Sequence, residues 1–296
     1  MALRAGLVGL GIMGSAYARH LCAAGVATSG FDIDAGARER FALLGGTPAG
    51  SAREVAATSD VVITALPGLE ALESAFFGPE GIAAGATPQL VVSEQSTFAL
   101  DAKERVRSVL AARGVAVLDA PVSGTGSQAQ QRDLAIFASG ERTAFDTAFP
   151  VLQTFARDVR YVGAFGTGSK LKYIANLLVT IHNRATAEAV VLAEQAGIDP
   201  VLMLEVLAGS AADSRMLHVR GPMMAAGTYQ PAAMKMDVYE KDLQIIDEFA
   251  HAVGAPTPLF AQSLPFYRAA LADGHAKDDT AAIVTVLRAM AGQAER

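Results

Sequence analysis

Two lysines and an amide near the middle of the chain have the chemistry for proton transfer. Lys170 and Lys172 follow a glycine-rich segment that ends at Gly168, and Asn176 comes four residues after Lys172. A lysine in the first turn of a helix opposes the helix dipole, and together with partial burial this lowers its pKa toward the range of a general acid or base. An amide one turn further on can hold a hydroxyl or carbonyl beside it. The alternative is that both lysines only extend to solvent at a helix start.

One long helix must position these groups. The sequence predicts that it begins with Ser169 as the N-cap and ends at Gly197, with Pro200 shortly after. Two stripes recur at helical spacing: an apolar stripe, which suits a buried helix, and a polar stripe, which includes the candidate site residues. The apolar stripe is Leu171, Ile174, Leu178, Ile181 and Ala185, and the polar stripe is Lys172, Asn176, Thr180 and Asn183.

A glycine-rich turn near the N-terminus has the spacing of a dinucleotide site. It follows a candidate strand over residues 4–8 and opens a helical pattern that continues to residue 24. In such a turn the first glycine bends the chain, the second lets a pyrophosphate approach, and the third lets the helix pack on the strand. A turn without a ligand is the alternative. The residues of the turn are Gly9, Leu10, Gly11, Ile12, Met13 and Gly14.

Asp32 strengthens the case for a dinucleotide. It ends a second candidate strand, residues 27–31, and lies 18 residues after Gly14, where an acid binds the adenosine ribose. Its carboxylate would repel the 2′-phosphate of NADP, and Ile33 supplies no cation, so the sequence favours NAD. Arg38 and Arg40 lie close enough along the chain to bind that phosphate, and NADP is therefore not excluded.

The remaining strand candidates predict an α/β fold with a doubly wound parallel sheet. Ligands bind such sheets at the carboxyl ends of the strands, where Leu66–Pro67 and Thr97 fall, although ordinary turns are an equal alternative there. Ser123 and Gly124 follow another strand and offer a hydroxyl and N–H groups to a carboxylate, or form a plain surface turn. We predict a Rossmann-type dinucleotide-binding domain over residues 1–163 and an all-helical domain over 164–296, which begins with the long helix.

Composition excludes several other classes of function. The net charge is −6, no basic block occurs, and the single cysteine permits neither an internal disulfide nor a thiolate metal cluster. Nucleic-acid and polybasic membrane binding are therefore not expected. The apolar runs are far shorter than the roughly 18 residues of a membrane span. The N-terminal glycines suit a strand-to-helix turn better than a signal peptide, so we expect a cytoplasmic protein without a metal.

Four blocks together resemble the β-hydroxyacid dehydrogenase family over essentially the whole chain. They are Gly9–Gly14, Asp119–Gly124, Gly166–Lys172 and Lys241–Leu243. The resemblance implies hydride transfer between NAD(P) and a small 3-hydroxy acid or its semialdehyde, in a homodimer or homotetramer. It selects Lys172 over Lys170 as the catalytic acid–base, with Asn176 beside it. It also places substrate at Ser123, Gly124 and Thr125, and cofactor contacts at Leu66, Pro67, Thr97 and Lys241.

The chain departs from the family pattern at three positions. Ala175 stands where the family has an asparagine, Thr125 replaces the second glycine of the serine loop, and Arg132 replaces a later glycine. Lys241 has a plain alternative, a helical ion pair with Asp237 four residues earlier. The alternatives for the whole chain are an imine reductase, a branch in which the lysine is generally absent, a decarboxylating relative, and a dinucleotide-binding sensor without turnover.

Overall fold

Strands and helices alternate through the first part of the chain. A computed structural model describes residues 3–293, which divide into two compact units with the boundary between Lys172 and Tyr173. The strands of the first unit are β1 Ala5–Val8, β2 Thr28–Phe31, β3 Thr47–Pro48, β4 Val61–Thr64, β5 Val91–Glu94, β6 Ala116–Asp119, β7 Val122–Ser123, β8 Ala135–Ala138 and β9 Asp158–Tyr161. Its helices are α1 Ile12–Ala23, α2 Ala35–Leu43, α3 Ala52–Thr58, α4 Leu69–Phe77, α5 Ile82–Gly85, α6 Leu100–Ala111, α7 Gly126–Gln130 and α8 Arg142–Phe155.

The main sheet of the first unit is parallel and doubly wound, as predicted. Its strand order is β3-β2-β1-β4-β5-β6, so the chain crosses from one side of β1 to the other between β3 and β4. Every residue of β1, β4 and β5 is buried, because helices cover both faces of the sheet and leave no solvated side. One face of the sheet packs against a hydrophobic cluster, in which Tyr17 stacks on Phe155 with ring centroids 4.3 Å apart.

A small second sheet extends the first unit. Its order is β7-β8-β9, with β7 antiparallel to β8 and β8 parallel to β9. A bridge between Asp119 and Ser139 links it to the end of β6. The sequence did not predict the two-residue strands β3 and β7, because they are too short to show a period.

The second unit is helical, as predicted. Its helices are α10 Pro200–Leu207, α11 Arg215–Ala226, α12 Met236–Ala252, α13 Pro258–Ala272 and α14 Ile283–Met290, with short 3-10 helices at His275–Lys277 and Thr280–Ala282. The 3-10 helix at Thr280–Ala282 leads directly into α14, and Asp279 begins it by accepting a hydrogen bond from the Ala281 N–H. Among residues 3–293, no helix combines the length and apolar character that a membrane crossing requires.

The long helix α9, Thr167–Gln195, does not bury the face that the sequence predicted. Asn176, Thr180 and Asn183 of the polar stripe are at most 5% exposed. Leu171, Ile174 and Leu178 of the apolar stripe are 37%, 53% and 47% exposed. The prediction of a buried apolar stripe was wrong for Leu171, Ile174 and Leu178. The polar stripe is buried in its place, because other helices of the second unit supply hydrogen-bonding partners for it.

Those partners are two buried tyrosines. Thr180 Oγ1 lies 2.9 Å from Tyr239 Oη, and Asn183 Nδ2 donates to Tyr267 Oη at 2.9 Å. Asn183 Nδ2 also donates to the Thr280 carbonyl at 2.9 Å. Buried polar atoms are usually paired, and these bonds pair the Thr180 hydroxyl and the Asn183 amide nitrogen, whereas Asn183 Oδ1 is buried without a partner. The bonds of Thr180 and Asn183 therefore support the fold of the second unit.

Candidate active site

The three glycines of the N-terminal turn meet three different environments. Gly9 has φ +93°, and a Cβ there would lie 2.3 Å from the Ala65 carbonyl oxygen. A Cβ on Gly14 would lie 1.9 Å from the Gly9 carbonyl oxygen. A Cβ on Gly11 would meet nothing within 4 Å. The first and third glycines thus fit the fold itself, while the space at the second fits the approach of a pyrophosphate.

The helix that opens from this turn offers its N–H groups to an anion. α1 begins at Ile12 with Gly11 as the N-cap, and no side chain caps it. Uncapped N–H groups at a helix N-terminus attract phosphate. Met13 packs inward against the core of the unit. The residues of this turn therefore fit a dinucleotide.

Asp32 is held at the end of β2 by two backbone N–H groups. The Leu10 N–H donates to one carboxylate oxygen at 2.7 Å and the Asp34 N–H to the other at 2.9 Å, so the acid is tied to the glycine turn. Both arginines considered for NADP are engaged nearby. Arg38 donates to the Asp32 carbonyl oxygen at 2.5 Å, and Arg40 pairs with Asp34 at 3.3 Å.

The loops after β4 and β5 adjoin the turn. Ala65 comes directly after β4, and Gly9 approaches its carbonyl oxygen. Leu66 and Pro67 are the next two residues. The Leu66 N–H donates to Ser96 Oγ at 2.9 Å, which joins the two loops. Pro67 is exposed and Thr97 is half-buried. The carboxyl ends of neighbouring strands thus bring these predicted cofactor residues together.

The serine loop also lies beside the glycine turn. Gly124 has φ +141°, and a Cβ there would lie 2.5 Å from a methyl group of Leu134, so the loop requires glycine. Gly126 begins α7 so close to Ile12 that a Cβ on it would lie 2.4 Å from that side chain. Ser123 is half-buried at the end of β7. The structure therefore places Ser123 and Gly124 next to the predicted cofactor turn.

Thr125 has a structural task in this loop. Its Oγ1 accepts a hydrogen bond from the Gln128 N–H at 3.4 Å, and its own N–H donates to Gln128 Oε1 at 3.0 Å. This reciprocal pair is a capping box that starts α7. The departure from glycine at Thr125 thus has a local explanation, and its contact with substrate stays a prediction.

Three buried charges lie between the sheet and α6, and sequence reasoning missed all three. Glu94 and Asp119 are paired in register at the ends of β5 and β6. Lys103 Nζ lies 2.8 Å from a carboxylate oxygen of each, and all three side chains are at most 1% exposed. Burial lowers the pKa of a lysine, but the two carboxylates outweigh it, and the pKa of Lys103 lies above its ordinary value.

Asp119 also accepts hydrogen bonds from the first turn of α9. The Ser169 N–H donates to one carboxylate oxygen of Asp119 at 2.8 Å and the Ser169 hydroxyl to the other at 2.7 Å. The Gly168 N–H donates to Ser139 Oγ at 3.0 Å. The prediction of Ser169 as the N-cap was wrong, because α9 begins at Thr167 and its first N–H groups find acceptors from a distant part of the chain.

The same cluster lowers the pKa of Asp119. Burial by itself raises the pKa of a carboxyl group, but the Lys103 ammonium and the hydrogen bonds from Ser169 hold the pKa of Asp119 below its ordinary value.

The two candidate lysines of α9 differ in exposure. Three residues after Ser169, Lys172 is half-buried, whereas Lys170 is exposed. Because α9 starts earlier than predicted, Lys172 lies in the second turn, and the helix dipole acts on it less than expected.

In the second unit, Asn176 belongs to a short polar chain. Its Nδ2 donates to Asp242 Oδ2 at 3.0 Å, and Lys241 Nζ lies 3.0 Å from Asp242 Oδ1. Asp237, the alternative partner predicted for Lys241, accepts a hydrogen bond from Lys277 at 2.5 Å. Asp242 was missed, although it stands within one of the blocks that carry the family resemblance.

Two family descriptions match nearly the whole chain. Residues 4–163 match the NAD binding domain of 6-phosphogluconate dehydrogenase, and residues 166–287 match the NAD-binding region of NADP-dependent 3-hydroxyisobutyrate dehydrogenase. The chain belongs to the β-hydroxyacid dehydrogenase family. As a β-hydroxyacid dehydrogenase it is an oxidoreductase that transfers a hydride between NAD(P) and a small hydroxy acid or semialdehyde.

Individual relatives in the family are similar over their full length. The chain is 33% identical to L-threonate dehydrogenase of Cupriavidus necator, over 97% of this chain and 96% of that one. It is 30% identical to 2-hydroxy-3-oxopropionate reductase of Escherichia coli, over 98% of both. A crystal structure of 3-hydroxyisobutyrate dehydrogenase from Salmonella typhimurium superposes with a TM-score of 0.86 at 32% identity, over 96% of this chain and 99% of that one.

Proposed function

We propose that Lys172 exchanges the hydroxyl proton of a small 3-hydroxy acid while a hydride leaves or joins the same carbon. The nicotinamide ring, when bound, accepts or supplies that hydride. In oxidation the neutral amine of Lys172 takes the proton as the carbonyl forms, and in reduction the ammonium returns it. The observation that carries this assignment is the contrast between half-buried Lys172, close to the anchored start of α9, and exposed Lys170.

Ser123 and Gly124 bind the carboxylate of the substrate. Their loop adjoins the glycine turn through Gly126 and Ile12, which supports a position beside the reacting end of the cofactor. Gly124 leaves its backbone accessible to an anion, and the Ser123 hydroxyl is a donor. Thr125 contributes by holding this loop through its capping box.

Asn176 orients the reacting oxygen. One of its two amide N–H bonds points to Asp242, and the side chain has a second N–H with which it can donate to the substrate. Asp242 in turn holds Lys241, which contacts the cofactor. With Leu66, Pro67 and Thr97, Lys241 completes the set of cofactor contacts that follow the glycine turn.

NAD is the preferred cofactor. The carboxylate of Asp32 is held in place by the N–H groups of Leu10 and Asp34, where it meets the ribose hydroxyls of NAD and repels a 2′-phosphate. Arg38 and Arg40 are already engaged by backbone and by Asp34. The substrate is a short acid with hydroxyl or aldehyde groups. The names of the relatives suggest three probes: L-threonate, glycerate as the reduced form of 2-hydroxy-3-oxopropionate, and 3-hydroxyisobutyrate.

The test compares Lys172→Met with its matched control Lys170→Met. Nicotinamide absorbance is followed with NAD or NADP and the three probes, and with NADH or NADPH and a cyclic imine to test the imine reductase alternative. We expect Lys172→Met to lower kcat by a factor of about 100 or more, with NADH affinity unchanged, and Lys170→Met to have little effect. Normal turnover by Lys172→Met would refute the assignment, and loss of NADH binding would point to a structural role.

The enzyme works as a homo-oligomer. Ile174 and Leu178 of α9 are 53% and 47% exposed, and no residue of the apolar helix α10 is buried within the chain. Apolar helix faces of this kind suit a second copy of the chain. Light scattering should give the mass of a dimer or tetramer, and the mass of one chain would contradict this.

A further inference from the structure

A buried network of hydrogen bonds and ion pairs crosses the first unit. It begins at the loop after β4, where the Leu66 N–H donates to Ser96 Oγ at 2.9 Å. The Ser96 N–H donates to Glu94 Oε1, also at 2.9 Å. The other oxygen of Glu94 lies 2.8 Å from Lys103 Nζ. One end of this network therefore holds a loop that we assign to the cofactor.

The other end of this network holds α9, the helix that carries the proposed catalytic lysine. Lys103 Nζ lies 2.8 Å from Asp119, and Asp119 accepts both the N–H and the hydroxyl of Ser169. Ser139 supports the same carboxylate, because its hydroxyl donates to Asp119 Oδ2 at 3.1 Å. Ser169 precedes Lys172 by three residues in α9.

Stability alone is a weak reason for this cluster. The desolvation of buried charges offsets much of their attraction, and apolar side chains of similar volume often serve a core equally well. Hydrogen bonds to a carboxylate, however, are directional, whereas apolar contacts allow an element to slide. Two bonds from one residue to the two oxygens of Asp119 fix both the position and the rotation of the first turn of α9.

We propose that Ser169 and Asp119 are positioning residues for Lys172, with Asp119 held in turn by Lys103. This inference rests on the proposed function, since it assigns the cluster the task of placing the acid–base amine. The same chain of bonds ties the loop at Leu66 to that helix start. An error of about 1 Å in the position of a catalytic group can cost a factor of 100 in rate, so a rigid anchor close to Lys172 has a direct effect on turnover.

The experiment is the substitution Ser169→Ala, with Ser59→Ala as the matched control. Ser169→Ala removes one hydroxyl but keeps the ion pairs of Lys103 and the Ser169 N–H bond, so we expect the chain to fold. Ser59 is also a buried serine of the first unit, its hydroxyl lies 3.2 Å from Ser29 Oγ, and it is not part of the cluster. Urea unfolding checks that both variants lose a similar amount of stability.

Two readouts separate positioning from general destabilisation. Hydrogen exchange of the peptide over residues 166–176 should become faster in Ser169→Ala and stay unchanged in Ser59→Ala. With NAD and the best of the three probes, kcat should fall about tenfold in Ser169→Ala, while the KM for the acid and the NADH affinity change by less than about twofold. Ser59→Ala should keep the kcat of the unmodified enzyme.

The outcomes distinguish this inference from the proposed function. Unchanged exchange, or a kcat equal to that of Ser59→Ala, would overturn the positioning role while leaving Lys172 as the acid–base. Full activity in Lys172→Met would overturn the proposed function, and hydrogen exchange would still decide whether Ser169 anchors α9. A rise in KM without a fall in kcat would also contradict positioning, since it would indicate a loss of binding only.

Discussion

The three glycines of the N-terminal turn show how one residue type serves two purposes. Gly9 and Gly14 are required because backbone atoms occupy the space of a side chain. Gly11 is different, because the space beside it is open and its φ of −67° is ordinary for any residue. The fold therefore does not require glycine at this position, and we expect Gly11 to serve the approach of the pyrophosphate.

Substitution at these positions should separate binding from stability. We expect Gly11→Ala to keep the unfolding midpoint in urea but to weaken NADH binding by a factor of ten or more, because a methyl group enters the path of the pyrophosphate. Gly14→Ala should lower the unfolding midpoint, because its Cβ would overlap the Gly9 carbonyl oxygen. NADH fluorescence and urea titration measure the two effects. Normal NADH affinity in Gly11→Ala would show that the turn does not meet the cofactor as proposed.

At the scale of elements, the end of α7 carries a strained residue. Arg132 follows this helix with φ +58°, in the left-handed region that glycine occupies without strain. The family resemblance placed a glycine at this position, and the backbone explains that preference. Arg132 compensates in part, since its guanidinium donates to the Gln153 carbonyl at 2.8 Å.

A pair of substitutions at this position isolates the backbone strain. Arg132→Gly and Arg132→Ala both remove the side chain and its bond to Gln153. Arg132→Gly should be the more stable of the two by about 1 kcal/mol, because only alanine keeps the steric cost of the left-handed conformation. Chemical denaturation of both variants measures the difference. Equal stabilities would mean that the backbone relaxes at this position.

Much of the fold could be predicted from local patterns. Glycine spacing, short apolar strands and the position of Asp32 indicated the doubly wound sheet, and Gly197 marked the end of α9. The start of α9 could not be predicted, because its N–H groups are bound by Asp119 and Ser139, which are 50 and 29 residues away from their partners in the chain. Ser169 has the residue type of an N-cap, but a stronger acceptor outside the segment displaced it.

The two faces of α9 illustrate the same limit. Helical spacing identified both stripes correctly, but it could not show which one other helices would cover. Thr180 and Asn183 are buried because Tyr239 and Tyr267 pair with them, and those tyrosines lie 59 and 84 residues away. For the candidate site, residue types indicated Lys170 or Lys172, Asn176 and Ser123, and the family resemblance selected Lys172. The buried pairings of Asp242 and Lys103 join residues far apart in the chain, so only the structure shows them.

At the scale of the whole molecule, the buried carboxylate of Asp119 should shape acid unfolding. Its pKa in the folded chain lies below the ordinary value of 3.8, so its contribution to stability is present above that value and is lost as the pH falls through the lower, folded pKa. The unmodified protein should therefore lose unfolding free energy on acidification from pH 5 into the range below 3.8.

Asp119→Asn tests this origin of the pH dependence. The variant should be less stable than the unmodified protein by about 3 kcal/mol at pH 7, because Lys103 loses one of its two buried partners. The difference should narrow as the pH falls, since protonation of Asp119 removes the same interaction from the unmodified protein. Urea unfolding at several pH values measures both curves. Parallel curves would show that Asp119 does not titrate with folding.

The buried position of Lys103 has a consequence for kinetic titrations. Because the pKa of Lys103 lies above its ordinary value and the pKa of Asp119 lies below its own, the Lys103–Asp119 ion pair has the same charge throughout the neutral range. It therefore contributes no inflection of its own to a plot of rate against pH near neutrality. A pKa read from such a plot therefore belongs to a group outside this ion pair.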